Sequence, residues 1–345
     1  MSIVWLMAAI AAFALSYILI RLMLISGVGL ARDIPNNRSM HQRVVLRGGG
    51  LAFVIATVCV FSLVRYLAFP ESGWVWYILP VIMMTTLGAL DDQRGLGILT
   101  RLVVQVAAAA LVSLIVINGS DSEMSVNLSI RQLLFLPILV IGIVWVINLY
   151  NFMDGMDGLA ASQGVIVLAT MALWLGGQSD SYPLALFCLI LAAATAAFLP
   201  FNWYPARVFM GDTGSLTLGV AIAAASAGSI FLYQLPTTAF LILMGVFLFD
   251  ATATLGRRIF TRQTWWQSHR SHFYQRAEAI GISQRHIVGT VVIMDLILAI
   301  LASLVVYDML LAQYGVIIAL AVLIAVSLLV RHFEDRAAST NRRSE

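Results

Sequence analysis

The sequence predicts an all-α integral membrane protein with about eleven transmembrane helices and active-site loops on its cytoplasmic side. Three observations lead there. Of the 345 residues, 61% are hydrophobic and 11% charged, with a mean hydropathy of +0.94, whereas soluble domains carry about 25% charged residues. Apolar runs recur along the whole chain, each close to the ~20 residues that a helix needs to cross the hydrocarbon core. The arginines sit on alternate connections between those runs, as the positive-inside rule requires.

The first run, near 2–25, is long enough to span and has no small-residue cleavage site after it. It reads as a retained helix, not a cleaved signal peptide. The second, 49–69, opens on Gly48-Gly49-Gly50, small residues of the kind that allow close helix packing in membranes. The third, 75–90, runs into Asp91-Asp92, and the fourth covers 99–118. The fifth, 132–150, and sixth, 159–176, flank Asp154 and Asp157. The remaining runs lie near 183–203, 215–233, 236–256, 287–307 and 311–330, with the shortest gaps at Gln234 and Asp308.

All twenty basic residues are arginine. Segments 26–48, 91–101, 204–214, 257–286 and 331–345 hold 4, 2, 1, 6 and 4 of them, and Arg21 borders the first. Only Arg65 and Arg131 fall toward the other side. The amino terminus is therefore expected outside, and the tail 331–345 in the cytoplasm. The cytoplasmic loops are expected near 26–48, 91–99, 150–158, 204–214 and 257–286. The absence of lysine reads as composition bias, since arginine and lysine share most surface roles. Cys59 and Cys188 both lie in apolar runs and read as small hydrophobes. No repeat, low-complexity tract or long linker divides the chain, so residues 1–345 are read as one polytopic domain.

The polar residues are not scattered. Asp91 and Asp92 follow the third run, Asp154 and Asp157 the fifth, Asp212 the seventh, and His269 and His272 the ninth. Every one follows an odd-numbered run and so emerges on the cytoplasmic face. A charge costs about 2.5–3.5 kcal/mol at the centre of a spanning helix, so carboxylates kept near the membrane usually have a task. Their convergence points to a single site at the membrane boundary.

Each motif also has a plain reading. Asp91-Asp92 is either a helix end with a solvated turn or a functional pair. Asp154 and Asp157 suit the start of the sixth helix, where carboxylates cap and complement the dipole, and capping is compatible with function. Gly155 and Gly158 open the backbone to a ligand or simply to a turn. Gly211-Asp212-Thr213-Gly214-Ser215 is a helix start that fits a phosphate or metal cradle. His269 and His272, spaced i and i+3, would share a helical face with Arg276 close by, an arrangement suited to an anion. Zinc is disfavoured there, because no cysteine lies on that side. The stretch from Asp33 to Gly50 is polar, basic and glycine-rich, and its default reading is a solvated loop.

Five motifs in order then resemble the polyprenyl-phosphate N-acetylhexosamine-1-phosphate transferases, the glycosyltransferase 4 type that includes the peptidoglycan phospho-MurNAc-pentapeptide transferase. They are Asp33-x-Pro-Asn36-x-Arg38-x-x-His41, Arg47-x-Gly-Gly, Leu87-Gly-x-Leu-Asp91-Asp92, Asn148-x-x-Asn151-Phe-Met-Asp154-Gly-x-Asp157-Gly-Leu, and Asn202-x-x-Pro205-Ala-x-Val-Phe209-Met-Gly-Asp212-x-Gly-Ser. They lie within residues 30 to 275. The resemblance implies transfer of an N-acetylhexosamine-1-phosphate from a UDP-amino-sugar to undecaprenyl phosphate, with release of UMP. The product would start O-antigen or a related surface polysaccharide. Peptidoglycan lipid I synthesis is the alternative.

The resemblance also implies roles. Asp212 would be the principal Mg²⁺ ligand, with Mn²⁺ as a substitute. Asp91 and Asp92 would handle the lipid phosphate or the metal, and Asp92 is a second candidate ligand. Asn151, Asp154 and Asp157 would form the nucleotide and metal side. Asn202 and Phe209 would contact uridine, and His269 and His272 the pyrophosphate and sugar. Asp91, Asp92, Asp154, Asp157, His269 and His272 are the candidate catalytic residues. Asn36, Arg38, His41, Arg47, Asn148, Arg270 and Arg276 join Asn151, Asn202 and Phe209 as candidate substrate contacts. The expected partners are the UDP-sugar, the lipid phosphate, membrane lipid and a second copy of the chain in a homodimer, with no nucleic acid. The expected location is the bacterial inner membrane. Many members carry three clustered histidines preceded by an aspartate; here Ser271 separates the clustered pair and Trp266 stands three residues before His269. The departure favours a 6-deoxy or otherwise modified amino sugar.

A phosphate monoester is already mostly a dianion at pH 7, so charge neutralisation is expected to outweigh general-base help from Asp91. Oxygen-only donors suit Mg²⁺ or Mn²⁺. A transporter would instead carry ionisable groups at mid-membrane and inverted repeats. Only Asp295 is so placed, since Asp250 precedes Arg257 by seven residues, about 10 Å at 1.5 Å per residue.

Overall fold

The computed structural model describes residues 3–33, 44–68, 75–118, 129–177, 179–263 and 270–344. They fold as α1 (Ile3–Ser26), β1 (Ala31–Asp33), β2 (Val45–Arg47), α2 (Gly50–Ala68), α3 (Val75–Arg94), α4 (Ile98–Asn118), α5 (Ile130–Met153), α6 (Leu159–Leu175) and a 3₁₀ turn at Ser179–Ser181. There follow α7 (Tyr182–Asn202), β3 (Val208–Phe209), α8 (Gly211–Phe231), α9 (Thr237–Leu243), α10 (Gly245–Phe260), α11 (Phe273–Ala279), α12 (Gln284–Val306) and α13 (Ala312–Ser344). The protein is an all-α integral membrane protein with one small sheet.

Eight of the described helices are long and apolar enough to cross a membrane, or up to nine if α9 and α10 count together. The three other predicted runs, the third, sixth and ninth, also lie on helices. The ninth predicted run is broken, with α9 and α10 meeting at 79°. At the sixth run α6 is an apolar helix of 17 residues, and at the third α3 ends on Asp91, Asp92 and Arg94 in its last turn. The final helix does not stop at 330 but continues to Ser344.

The chain forms two compact units, one of described residues up to Leu235 and one from Pro236 onward. In the first, α8 is the central helix: 83% of its membrane-length window is buried, more than in any other such helix. Its composition explains this, since twelve of its 21 residues are Gly, Ala or Ser, which let neighbouring backbones approach closely in a membrane. A Cβ on Gly50 would lie 2.4 Å from Gly214 Cα, one on Gly88 2.3 Å from the Asp212 carbonyl oxygen, and one on Gly219 2.8 Å from Ile147 Cα. Helices α2, α3 and α5 therefore meet α8 backbone to backbone. Phe53, Phe198, Tyr150 and Met84 fill the core between these contacts.

The three strands were not foreseen. β1 pairs antiparallel with β2, and β2 parallel with β3, placing Arg47 opposite both Ala31 and Phe209. Gly49 and Gly50 N–H groups donate to the Phe209 and Met210 carbonyls at 3.0 Å, carrying the pairing into the start of α2. The sheet thus ties the loop bearing Arg47 to the segment that leads into Asp212.

In the second unit, α9 packs against α12, with Leu243, Leu298 and Ala302 fully buried. Arg276 on α11 makes a two-point ion pair with Glu334 of α13, its Nε 2.7 Å from Oε1 and its Nη2 on Oε2.

Candidate functional site

The start of α8 organises the first unit's polar groups. Gly211 turns the chain with φ +71°, a left-handed value that glycine adopts without strain. Asp212 and Thr213 follow as the second and third helical residues, whose N–H groups have no partner within the helix. Met210, at the cap position, supplies no side-chain bond. Asp92, from the last turn of α3, supplies it instead. Its Oδ1 accepts from Asp212 N–H at 2.9 Å, and its Oδ2 accepts from Thr213 N–H at 3.0 Å and Thr213 Oγ1 at 2.7 Å.

Arg47 joins the two aspartates, with Nε 2.7 Å from Asp92 Oδ1 and Nη2 2.6 Å from Asp212 Oδ1. Asn151, near the end of α5, donates to the same Asp212 oxygen at 3.0 Å and lies 3.1 Å from Ser215 Oγ. Asp91 closes the turn after α3, accepting from Leu96 N–H at 2.6 Å and pairing with Arg101 at 3.1 Å. It also meets the Asp212 carboxyl group.

Helix α5 ends at Asp154, whose N–H returns to the Tyr150 carbonyl at 3.1 Å. Desolvation pushes the Asp154 carboxyl well above the ordinary carboxylate range; Arg47 pulls it down, while Asp212, Asp92 and Asp157 push it further up. Burial disfavours the charged form of Arg47, but Asp212, Asp92, Asp33 and Asp154 outweigh that and raise its pKa. Asp157 Oδ2 accepts from Ala206 N–H at 2.8 Å. Next to it, Gly158 has φ +76°, and a Cβ there would sit 2.9 Å from the Trp203 ring.

Asp92, Asp154 and Asp212 thus interact with Arg47 and Asp91 with Arg101, while Asp157 adds negative charge beside Asp154, leaving carboxylates in excess. No three His, Cys, Asp or Glu among the described residues form a ready metal cage. Mg²⁺ does not need one, since it takes one or two carboxylates, keeps several waters and shares substrate phosphates. A surplus of hard oxygen donors fits such an ion; Asp212, which Asn151 contacts and whose charge Asp154 feels, would be the residue to hold it.

Two expected substrate contacts have internal partners. Asn202 is buried; its Oδ1 accepts from Gly158 N–H at 3.1 Å and its Nδ2 donates to the Val208 carbonyl at 3.0 Å. It braces the Asp157 turn against β3. Asn148 donates to Gln105 Oε1 on α4 and to the Val144 carbonyl, both at 2.8 Å, so it links helices. Phe209 remains half-buried beside Arg47.

In the second unit, His272 Nδ1 lies 2.9 Å from Asp250 Oδ1, both side chains nearly inaccessible. The same oxygen accepts from Phe273 N–H and Thr254 Oγ1, each at 3.1 Å. His272 has extended backbone and precedes α11. The spacing argument that set it on a helical face with His269 therefore fails at its described half. Arg257 holds the Ser271 carbonyl at 2.8 Å, Arg276 also lies over the Phe273 ring at 5.2 Å, and Arg270 is exposed. Asn36, Arg38, His41 and His269 lie outside the described residues.

Sequence reasoning missed Arg101, Gln105, Thr213, Ser215 and Glu334, and saw Asp250 only as a charge near a helix end. Thr213 and Ser215 lie inside the quoted helix-start motif but were given no role of their own, and a capping search would have given them one. Asp250 and Glu334 meet their partners 22 and 58 residues away, and no local pattern marks such pairs.

Comparison with known proteins gives concordant matches. Residues 74–230 match the model of glycosyl transferase family 4. A probable undecaprenyl-phosphate N-acetylglucosaminyl 1-phosphate transferase of Bacillus subtilis is 32% identical over 281 residues, covering 79% of this chain and 76% of that protein. A decaprenyl-phosphate N-acetylglucosaminephosphotransferase of Mycobacterium tuberculosis is 28% identical, covering 77% and 73%. A phospho-N-acetylmuramoyl-pentapeptide-transferase of Aquifex aeolicus is 28% identical, covering 78% and 80%.

Proposed function

Because the chain belongs to glycosyl transferase family 4, we propose that it transfers an N-acetylhexosamine-1-phosphate from a UDP-sugar to undecaprenyl phosphate, releasing UMP. The observation that carries this is the Asp212 carboxylate, held by Arg47 and Asn151 at a helix start among four further aspartates. Helix starts favour phosphate, and aspartates beside them favour a divalent cation.

The reaction joins two phosphates. A lipid-phosphate oxygen attacks the sugar-bearing phosphorus, a new P–O–P link forms, and the old link breaks with its bridging oxygen leaving on UMP. Bound Mg²⁺, or Mn²⁺ in its place, would neutralise charge on the pyrophosphate. Arg47 orients the Asp212 carboxylate and spreads positive charge over it. Asn151 holds the same oxygen, and the Asn202 strut keeps the Asp157 turn in place. The acceptor is mostly dianionic at pH 7, so positioning and charge dominate over proton removal. Asp91 then acts electrostatically.

The reading includes a bacterial inner-membrane location, supported by the bacterial relatives, and an outside amino terminus with a cytoplasmic site, supported by the arginine distribution. It also includes a homodimer and a product that starts O-antigen or a related polysaccharide, from a modified amino sugar. Phospho-MurNAc-pentapeptide transfer is the second reading, favoured by the Aquifex relative. Purified protein mixed with undecaprenyl phosphate, Mg²⁺ and a panel of UDP-amino-sugars should release UMP with one of them. No release with any UDP-sugar, including UDP-MurNAc-pentapeptide, would sink the transferase reading.

A further inference from the structure

Asp92 has no capacity left. An ionised carboxylate offers about four lone-pair sites, and four donors occupy them: Arg47 Nε and Asp212 N–H on Oδ1, Thr213 N–H and Thr213 Oγ1 on Oδ2. Only 4% of the side chain is exposed. A Cβ on Gly211 would lie 2.4 Å from Asp92 Oδ2, so the carboxylate presses directly on the turn. Asp91 is different: its Oδ1 accepts from Leu96 N–H and its Oδ2 from Arg101 Nη1, and the Asp212 carboxyl group meets it as well.

The two N–H groups taken by Asp92 are those that an N-cap residue serves in its own helix. Here the cap comes from another helix, because Met210 cannot provide it. A cation or a proton on Asp92 would displace one of its four bonds and release the start of α8.

We propose that Asp92 is a positioning residue, a cap lent by α3 to α8 that fixes the Asp212 backbone and, through Arg47, the direction of its carboxylate. It neither ligates the metal nor accepts a proton. This rests on the reading of Asp212 as the residue that anchors the cation.

The test compares wild type, Asp92→Asn, Thr213→Ala and the double variant, purified in detergent. Three readouts are used: Mn²⁺ affinity by titration, melting without metal, and the pH dependence of UMP release. Asp92→Asn should weaken Mn²⁺ binding by about tenfold to a hundredfold, the scale seen when a ligand's supporting partner is removed. Thr213→Ala should weaken it less but in the same direction. The double variant should be no weaker than Asp92→Asn alone, and every pH profile should keep its shape.

Unchanged Mn²⁺ affinity in Thr213→Ala would overturn the proposal, as would a pH dependence that vanishes in Asp92→Asn. Where Asp92→Asn does not fold, Thr213→Ala decides by itself. Wild-type protein that binds Mn²⁺ but releases no UMP would defeat the transferase reading and leave the metal and melting arms to judge Asp92. Wild-type protein that binds no Mn²⁺ would overturn both.

Discussion

Arg47 and Asp212 stand 165 residues apart in sequence and 2.6 Å apart in the structure, with the other edge of the same guanidinium on Asp92. One planar fork therefore sets the angle between two carboxylates, which a lysine ammonium cannot do. Arg47→Lys is expected to lower kcat for UMP release by roughly a hundredfold, the scale of misplacing a catalytic group by about 1 Å. Steady-state kinetics check this; a variant within twofold of wild type would show that the fork is dispensable.

Asp212→Asn removes the anionic anchor but keeps the shape. Activity should fall by at least about a hundredfold, as when a preorganised electrostatic group is lost, and extra Mg²⁺ should not restore it. Near-normal turnover at ordinary Mg²⁺ would end the assignment of Asp212 to the cation.

Asp154 links pH to stability. Its folded-state pKa is raised, so the folded protein binds more protons than the unfolded chain above the ordinary carboxylate value. The stability it contributes is present below that value and is lost as pH rises toward its folded pKa. In metal-free protein, Asp154→Asn should melt higher than wild type at pH 7.5, and the two should converge near pH 4. A variant that melts lower at pH 7.5 would contradict the repulsive setting.

Gly88 and Gly211 leave no room for a methyl group. In Gly88→Ala the Cβ would meet the Asp212 carbonyl oxygen at 2.3 Å, and in Gly211→Ala it would meet Asp92 while φ stays positive. Each substitution should cost about 1–3 kcal/mol, the range for backbone strain and overpacking. Gly97, with open space around it, is the control. Melting temperatures in one detergent compare all three.

In the second unit, Glu334→Gln breaks the two-point pair with Arg276. Proteolysis should then cut the segment around α11 faster, while the α12 core keeps its protection. Equal cutting rates would mean that α13 does not hold that segment.

How much of this was legible depends on the reach of each signal. The membrane class came from composition, and the aspartates came from charges that are costly beside apolar runs. The strands β1, β2 and β3 are two or three residues long, too short to show a period. The break between α9 and α10 sits inside the stretch 240–249, which has no polar side chain, so hydropathy passes over it.

By itself, the sequence determined the membrane class, the family and the identity of the acidic residues at the ends of α3, α5 and the start of α8. Those follow from local composition and from motifs read along the chain. Only the tertiary structure decided what each polar atom does: Asp92 caps, Asp91 closes a turn, Asn202 braces, and Asp212 is held between Arg47 and Asn151. The physical reason is that a hydrogen bond works over about 3 Å and in one direction, and partners from distant segments meet at that range only when the helices pack.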